Sequence, residues 1–472
     1  MNTSDTTPDA SDTSAAILPG EHLHALRSAL HGPVILPGDP EWDDARRAWQ
    51  LLVDQHPVAV VVPADVDDVV ATVLAARKLG LRVAPQSTGH AAGTVDSLAD
   101  TILLRTSALD TVEIRPATAS ARVGAGVSLG AVADAAAQHG LAVVAGMAPS
   151  VGAVGFALGG GLGWLARSHG LAANSILALE AVDAHGRVLR IDETHHTDLF
   201  WAARGGVAPV VVTAIEIRLY PIAEVHAGAL MWPLERAADV AHAWREWTAD
   251  IPDSVTSLAR VLRYPAIPEI PEFLRGRSFV AVEAAVQADA ATADALVAPL
   301  RALTPEIDTI HPMSPAELGA VHGDPPQPAP ARGKAILLSE ISAASVDAFM
   351  DAALAPSSAP LLSIELRHLG GALRAGSGTG GAVSTIDGEG LVFAVGIVPV
   401  PEAHEPVRAA ALEVVHRLRP HAAPRLVRKA GLRPPERRSI LRNSLGRSLL
   451  QPPRSHERSH ERSAAAAPWR PS

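Results

Sequence analysis

The 472-residue chain contains no cysteine. Disulfides, thiolate zinc sites and cysteine-ligated iron–sulfur clusters are therefore excluded, and the redox compartment is left open. Aromatic residues are 3% of the chain and only 2 tyrosines occur, Tyr220 and Tyr264, so a phenolic acid or base has few candidates. No uninterrupted apolar run approaches the ~18 residues of a membrane-spanning helix, which argues against a membrane protein. The formal charge of −10 argues against a general nucleic-acid binder. The opening "MNTSDTTPDASDTSAA" lacks the basic and apolar regions of a signal peptide, so a cytoplasmic location is expected.

What is present is aliphatic and periodic. Residues 1–20 read as a disordered lead. From "GDPEWDDARRAW" (Gly38 to Trp49) organised sequence begins. "AVVVP" reads as a strand, and "ADVDDVVATVLAARKLG" as a helix with an acidic start and a glycine stop. "LRVAP" is the next strand, giving a β-α-β opening whose following loop, "QSTGHAAG", lies at the end where α/β sheets place ligands. The strands "TILLRT", "TVEIRP" and "SARVGAG" follow, then the helix "SLGAVADAAAQHG" and a second glycine-rich loop, Gly146 to Trp164. "ILALEAVDAHGRVLRID" reads as a hairpin turning at His185-Gly186, "DLFWAARGG" as a helix and "VVVTAIEIRLYP" as a strand. Composition breaks after Pro221. The helix "DAATADALVAPLRAL" and the strand "GLVFAVGIVPV" mark a second mixed region, to about residue 422. Beyond it an Arg/Pro/Ser-rich tail, with a "SHERSHERS" near-repeat, reads as disordered.

The two glycine loops carry the chemistry. Small residues with hydroxyls at Ser87 and Thr88 let backbone amides approach an anionic group. The second loop offers Ser150, Gly152, Gly155 and Gly159-Gly160-Gly161. Together they could grip a dinucleotide pyrophosphate from two sides, although glycine clusters can also be plain tight turns. A competing nicotinamide reading exists, since Gly161 to Ala166 match G-x-G-x-x-A and Glu180 lies near the ribose-acid position. That fingerprint should follow a buried strand directly, and "SVGAVGFALGG" is too glycine-rich to be one.

These segments, in this order and spacing, resemble the FAD-linked oxidases of the vanillyl-alcohol-oxidase superfamily, in the berberine-bridge-enzyme-like branch. "HPVAVVVPADVDDVVATVLAARKLGLRVAPQSTGH", "ARVGAGVSLGAVADAAAQHGLAVVAG" and "SVGAVGFALGGGLGWLARSHGLAANSILALEAVDAHGRV" carry the resemblance, with "SIELRHLGGAL" downstream. It implies an α+β fold: a PCMH-type, two-subdomain FAD-binding domain over residues 38–222, then an α/β substrate domain with an antiparallel sheet over 223–422. It implies FAD contacts from Gln86, Ser87, Thr88, Gly89 and His90 in the first loop. The second loop would contribute Ser150, Val151, Gly152, Gly155, Gly160 and Gly161. Val211 would give main-chain contacts to the adenine end, unless it is plain strand core. In the family the histidine matching His90 is often bonded covalently to the flavin. A second bond from a cysteine is excluded, because the matching position is Ala148.

The chain also departs from the family. In "ARGGVAPVVVT" (Ala203 to Thr213) the run from Arg204 is one residue shorter than the family's "RGGGGNFGVVT", and Pro209 removes an amide donor, which puts cofactor fit in question. The closing "Y-x-N" strand is not found after Val427, and the tail resembles out-of-frame translation or a natural regulatory extension. Tyr220 reads as structural. Glu365 and His368, in "SIELRHLGG", are the candidate catalytic residues, with Glu365 otherwise an exposed strand carboxylate or a partner of Arg367. The implied activity is oxidation of an alcohol, sugar, amine or natural product, with dioxygen reoxidising the flavin to give hydrogen peroxide. The alternatives are a catalytically impaired flavin-binding relic and, behind it, a nicotinamide-dependent dehydrogenase.

Overall fold

A computed structural model of the chain describes residues 19–95, 97–374 and 380–424. Most of the expected disordered lead and the Arg/Pro/Ser tail lie outside the described residues. The described residues form three sheets.

The first sheet runs β1 (Val34–Ile35), β2 (Ala59–Val61), β4 (Thr101–Arg105), β3 (Arg82–Gln86) across its width. β4 is parallel to both β2 and β3. The β-α-β opening therefore places its two strands on either side of a third. Its helix, Val66–Leu79, starts at Asp65, whose carboxylate accepts from the Asp68 amide, and stops at Gly80 in the left-handed region at φ 67°. Capping at both ends satisfies amides and carbonyls that a bare helix would leave open. Val69, Val73 and Ala76 then bury one face against β2 and β4.

The second sheet is antiparallel, in the order β5 (Val112–Arg115), β6 (Ser120–Gly124), β9 (Val210–Arg218), β7 (Ile176–Asp183), β8 (Val188–Asp192). β7 and β8 form the expected hairpin, with Gly186 at φ 75° in its turn. The stretch read as one long glycine loop contains a 6-residue helix, Ala153–Leu158, in its middle.

The third sheet begins at Val225. It comprises β10 (Val225–Pro233), β11 (Val255–Arg263), β12 (Ser278–Val286), β13 (Ile307–Asp308), β14 (His311–Met313), β15 (Ala331–Leu338), β16 (Ser363–His368) and β17 (Gly390–Ile397). Its pairs are all antiparallel, in the order β13-β10-β12-β11-β16-β17-β15, with β14 also on β10. Because side chains alternate across a pleated strand, each strand has two faces of different character. Ile364, Leu366, Val392 and Ala394 face a core shared with four helices: Ala237–Asp250, Ala290–Arg301, Ala343–Leu354 and His404–Arg417. Glu365, Arg367, Leu391, Phe393 and Val395 fall on the opposite face. That second face closes over the two glycine loops.

Candidate active site

A cavity of about 280 Å³ lies between the first loop, the second loop and the open face of β15, β16 and β17. Trp49, Gln50, His90 and Thr94 line one side, Ala148, Val151 and Phe156 another, and Arg367, Leu391, Phe393 and Val395 the sheet wall.

The first loop leaves β3 at Gln86. Gly89 sits at φ 87°, and a Cβ there would stand 2.9 Å from the Ala48 Cβ and 3.0 Å from Gln86 Oε1. Only glycine meets both demands. The Trp49 amide donates to the Thr88 carbonyl at 2.9 Å, which presses the indole onto the loop. Its ring stacks on His90, with centroids 4.0 Å apart and planes at 16°. Thr88 Oγ1 lies 2.7 Å from His90 Nδ1, and Ser150 Oγ of the second loop lies 3.3 Å from Nε2. His90 is thus where the two loops meet. Burial pushes its pKa down to about 4, so the ring is a neutral imidazole with one unprotonated nitrogen at ordinary pH.

The second loop packs directly on the first. A Cβ on Gly152 would stand 2.8 Å from Ser87 Oγ. Gly155, by contrast, is exposed, and a Cβ there would meet nothing within 4 Å. Gly160 and Gly161 take φ 107° and 73°, and a Cβ on Gly161 would meet the Phe156 ring and Ala172 at 2.7 Å. These two glycines serve a turn and close internal packing. Val211 is buried in β9 opposite Val182, within a core shared with the first sheet.

The structure thus brings Ser87, Thr88, Gly89 and His90 together with Ser150, Val151 and Gly152 where the two loops touch, and of these His90 and Val151 line the cavity. Gln86 turns aside, its Oε1 accepting from Arg105 Nη1 at 2.5 Å. Arg105, at the end of β4, is half-buried, and burial lowers its pKa. Ala148 lines the cavity.

The nicotinamide alternative fails on geometry. Gly161 to Ala166 do not follow a strand, and Glu180 lies within the second sheet, receiving Arg122 Nε at 2.8 Å and Nη2 at 2.5 Å. The shortened Ala203 to Thr213 segment is packed by residues 381–383. The Ala382 amide donates to the Trp201 carbonyl at 2.9 Å and the Val383 amide to the Arg204 carbonyl at 3.2 Å. Tyr220 is structural, its hydroxyl 3.0 Å from Ser175 Oγ and its ring stacked on His169.

Glu365 is not the exposed strand carboxylate that one reading allowed: it is 1% exposed and pairs with Arg367, whose Nε and Nη2 reach Oε1 at 2.8 and 2.5 Å. Its Oε2 lies 3.2 Å from His322 Nε2. Burial pushes Glu365 up, but Arg367 and then His322 outweigh it and hold the carboxyl well below the usual carboxylate range. His368 contacts Arg167 Nη1 at 2.9 Å, away from the cavity lining. Burial, then Arg167, lowers its pKa to about 3. Among the described residues the carboxylate that does line the cavity is Asp324, exposed near its mouth. Trp49, Arg105 and Asp324 carry no local motif; their roles come from chain segments meeting in space.

This lining suits a flavin. Trp49 Nε1 is buried with no partner among the described residues, an orphan donor at the cavity wall. Gly155 leaves open space beside the second loop. Leu391, Phe393 and Val395 close the cavity opposite the loops with an apolar wall.

Comparison with known proteins agrees. Residues 57–192 match the model of an FAD binding domain. The chain is 34% identical to (R)-6-hydroxynicotine oxidase of Paenarthrobacter nicotinovorans over 206 residues, which cover 43% of this chain and 45% of that protein. The chain spans about half the length of the curated relatives it matches. Its fold is similar to that of 6-hydroxy-D-nicotine oxidase from Arthrobacter nicotinovorans, at TM-score 0.68 and 23% identity, covering 82% of this chain and 86% of that one. It is also similar to Physcomitrella patens BBE-like 1, at TM-score 0.71 and 20% identity, covering 85% and 89%. Residues 57–192 thus form an FAD binding domain, and the chain is similar in sequence to FAD-linked oxidoreductases, among them a berberine bridge enzyme-like protein of Arabidopsis thaliana.

Proposed function

We propose that the chain holds FAD between its two glycine loops, bonded covalently through His90, and oxidises a small organic substrate bound against β16 and β17. Bound flavin would supply the two-electron acceptor for a substrate C–H bond, with dioxygen as the final oxidant and hydrogen peroxide as the product. The observation that carries this reading is His90 itself: a neutral imidazole, stacked on Trp49, at the junction of both loops and on the cavity wall. An unprotonated ring nitrogen is what a covalent bond to carbon requires.

The remaining groups divide by position. Backbone around Gly89, Gly152 and Gly155 would hold the phosphates, with Arg105 adding positive charge behind Gln86. The hydroxyls of Thr88 and Ser150 keep the His90 ring oriented. Asp324 is the group we assign to accept the substrate proton, because it lines the cavity and its carboxylate stands 4.0 Å from the ring of His322, short of a direct hydrogen bond. Glu365 would act through Arg367 as a positioning residue. His368, tied to Arg167, would brace the junction between β16 and the flavin-side helix Ala166–His169. No helix among the described residues is long and apolar enough to cross a membrane, and a cytoplasmic location is part of the proposal.

The test is the visible spectrum of the purified protein together with that of His90→Ala. A flavin band in both, resistant to denaturation in the first and released by it in the second, is expected. Unchanged covalent flavin in His90→Ala would show that another residue carries the bond.

A further inference from the structure

Behind the cavity wall lies a buried ionic cluster spanning β12, β11 and β16. Glu283 and Glu365 are 0% and 1% exposed, Arg260 5% and His322 6%. Arg260 stands directly across the strand pair from Glu365 and forms an ion pair with Glu283. Arg260 also donates from Nη2 to the His322 carbonyl at 2.9 Å. The His322 ring bridges both acids, with Nδ1 2.7 Å from Glu283 Oε2 and Nε2 3.2 Å from Glu365 Oε2. Arg367 completes the cluster through Glu365 and is its member on the cavity wall.

The charges do not balance. Burial and Arg260 push His322 down, but Glu283 and Glu365 outweigh them and raise its pKa to about 9. Two guanidiniums and an imidazolium therefore face two carboxylates through neutral pH. Asp324 is the remaining acid in contact, 4.0 Å from His322 Nε2, but its side chain is 39% exposed and screened by solvent. An excess cation in a buried cluster is costly unless something pairs it. Among Arg260, Glu283, His322, Glu365 and Arg367, the one that lines the cavity is Arg367. Its Nε and Nη2 are given to one oxygen of Glu365, while Nη1 has no partner among the described residues.

We propose that this site takes a substrate carrying a carboxylate, received by the free edge of Arg367, with its apolar body along Leu391, Phe393 and Val395. The proposal deepens the flavin reading and rests on it. A planar guanidinium already gripped on one edge presents the other in fixed orientation, which favours a carboxylate over a neutral hydroxyl or amide. Glu365, His322, Glu283 and Arg260 are then positioning residues that hold Arg367 and maintain the cationic excess.

The experiment is calorimetric titration of the purified holoprotein with benzoate and hexanoate, each against its neutral amide. The acids are expected to bind at least tenfold more tightly than the amides. Arg367→Lys should weaken the acids several-fold, and Arg367→Met should bring them to the level of the amides, with flavin retention and melting temperature reporting the fold. The comparison of acid with amide on the unmodified protein needs no variant. Equal binding of acid and amide, or no acid binding, overturns the proposal. So does an acid preference that survives Arg367→Met, or variants that shift only the flavin spectrum while acid affinity stays fixed. A colourless protein that still prefers the acids would break the flavin reading and leave the carboxylate site standing.

Discussion

The indole of Trp49 lies flat on the imidazole of His90, with ring centres 4.0 Å apart. Forty residues of intervening chain build a helix and strands of the first sheet, and the contact returns the segment between β1 and β2 to the loop that follows β3. The stack shields one face of His90, and the hydroxyls of Thr88 and Ser150 occupy its edges.

This shielding has a pH consequence. The folded ring has a pKa near 4, below the ordinary histidine value of 6.5. In the unfolded chain the ring binds a proton first as pH falls, so folding loses stability between pH 6.5 and about 4. For protein without a flavin bond, we expect His90→Gln to flatten the decline in melting temperature over that window. The differential is roughly 1–3 kcal/mol. Parallel declines in both proteins would mean the ring titrates normally.

Gly155 should be more informative than Gly160. A side chain at Gly155 enters open space, so Gly155→Val should fold normally but lower flavin content about tenfold, equivalent to ~1.4 kcal/mol of binding. Gly160 sits at φ 107°, where valine is strained, so Gly160→Val should lose folding and flavin together. Full flavin loading of Gly155→Val would remove the second loop from the binding surface.

Arg105 has a neutral partner, Gln86, and a half-buried position. In a His90→Ala background, where FAD exchanges, Arg105→Gln should weaken FAD binding by about 1.5–3 kcal/mol if the cation serves the pyrophosphate. Arg105→Lys should lose less. Equilibrium dialysis measures both, and an unchanged affinity in Arg105→Gln would make the residue structural.

His322 stabilises the third sheet through its charge. Its folded pKa of about 9 exceeds the ordinary 6.5, so the contribution is complete below pH 6.5 and is lost as pH rises through 9. His322→Gln removes the ring that bridges Glu283 and Glu365 and should cost about 3–5 kcal/mol at neutral pH. The gap from the unmodified protein should narrow in denaturant melts at pH 10. A gap independent of pH would mean the ring is neutral throughout.

Much of this was legible in the residue order, for physical reasons that differ by element. The Asp65 cap, the 3.6-residue spacing of Val69, Val73 and Ala76, and the Gly80 stop are local signals, and the helix lies where they put it. The hairpin at His185-Gly186 and both glycine loops are local in the same way. The sheet wall was not readable. Arg260, Glu283, His322 and Glu365 come from separated segments and meet only because β11 pairs with β12 and β16. The same holds for Asp324, which follows a short helix with no motif around it. A glycine's local sequence also cannot tell a turn or close packing, as at Gly160 and Gly161, from an open approach, as at Gly155.

The most direct measurement is the flavin absorbance of purified protein before and after acid precipitation. With FAD held between the two loops and bonded to His90, the native protein is yellow and the colour follows the washed pellet. A colourless native protein would contradict the flavin site, and a yellow supernatant over a white pellet would contradict the bond to His90.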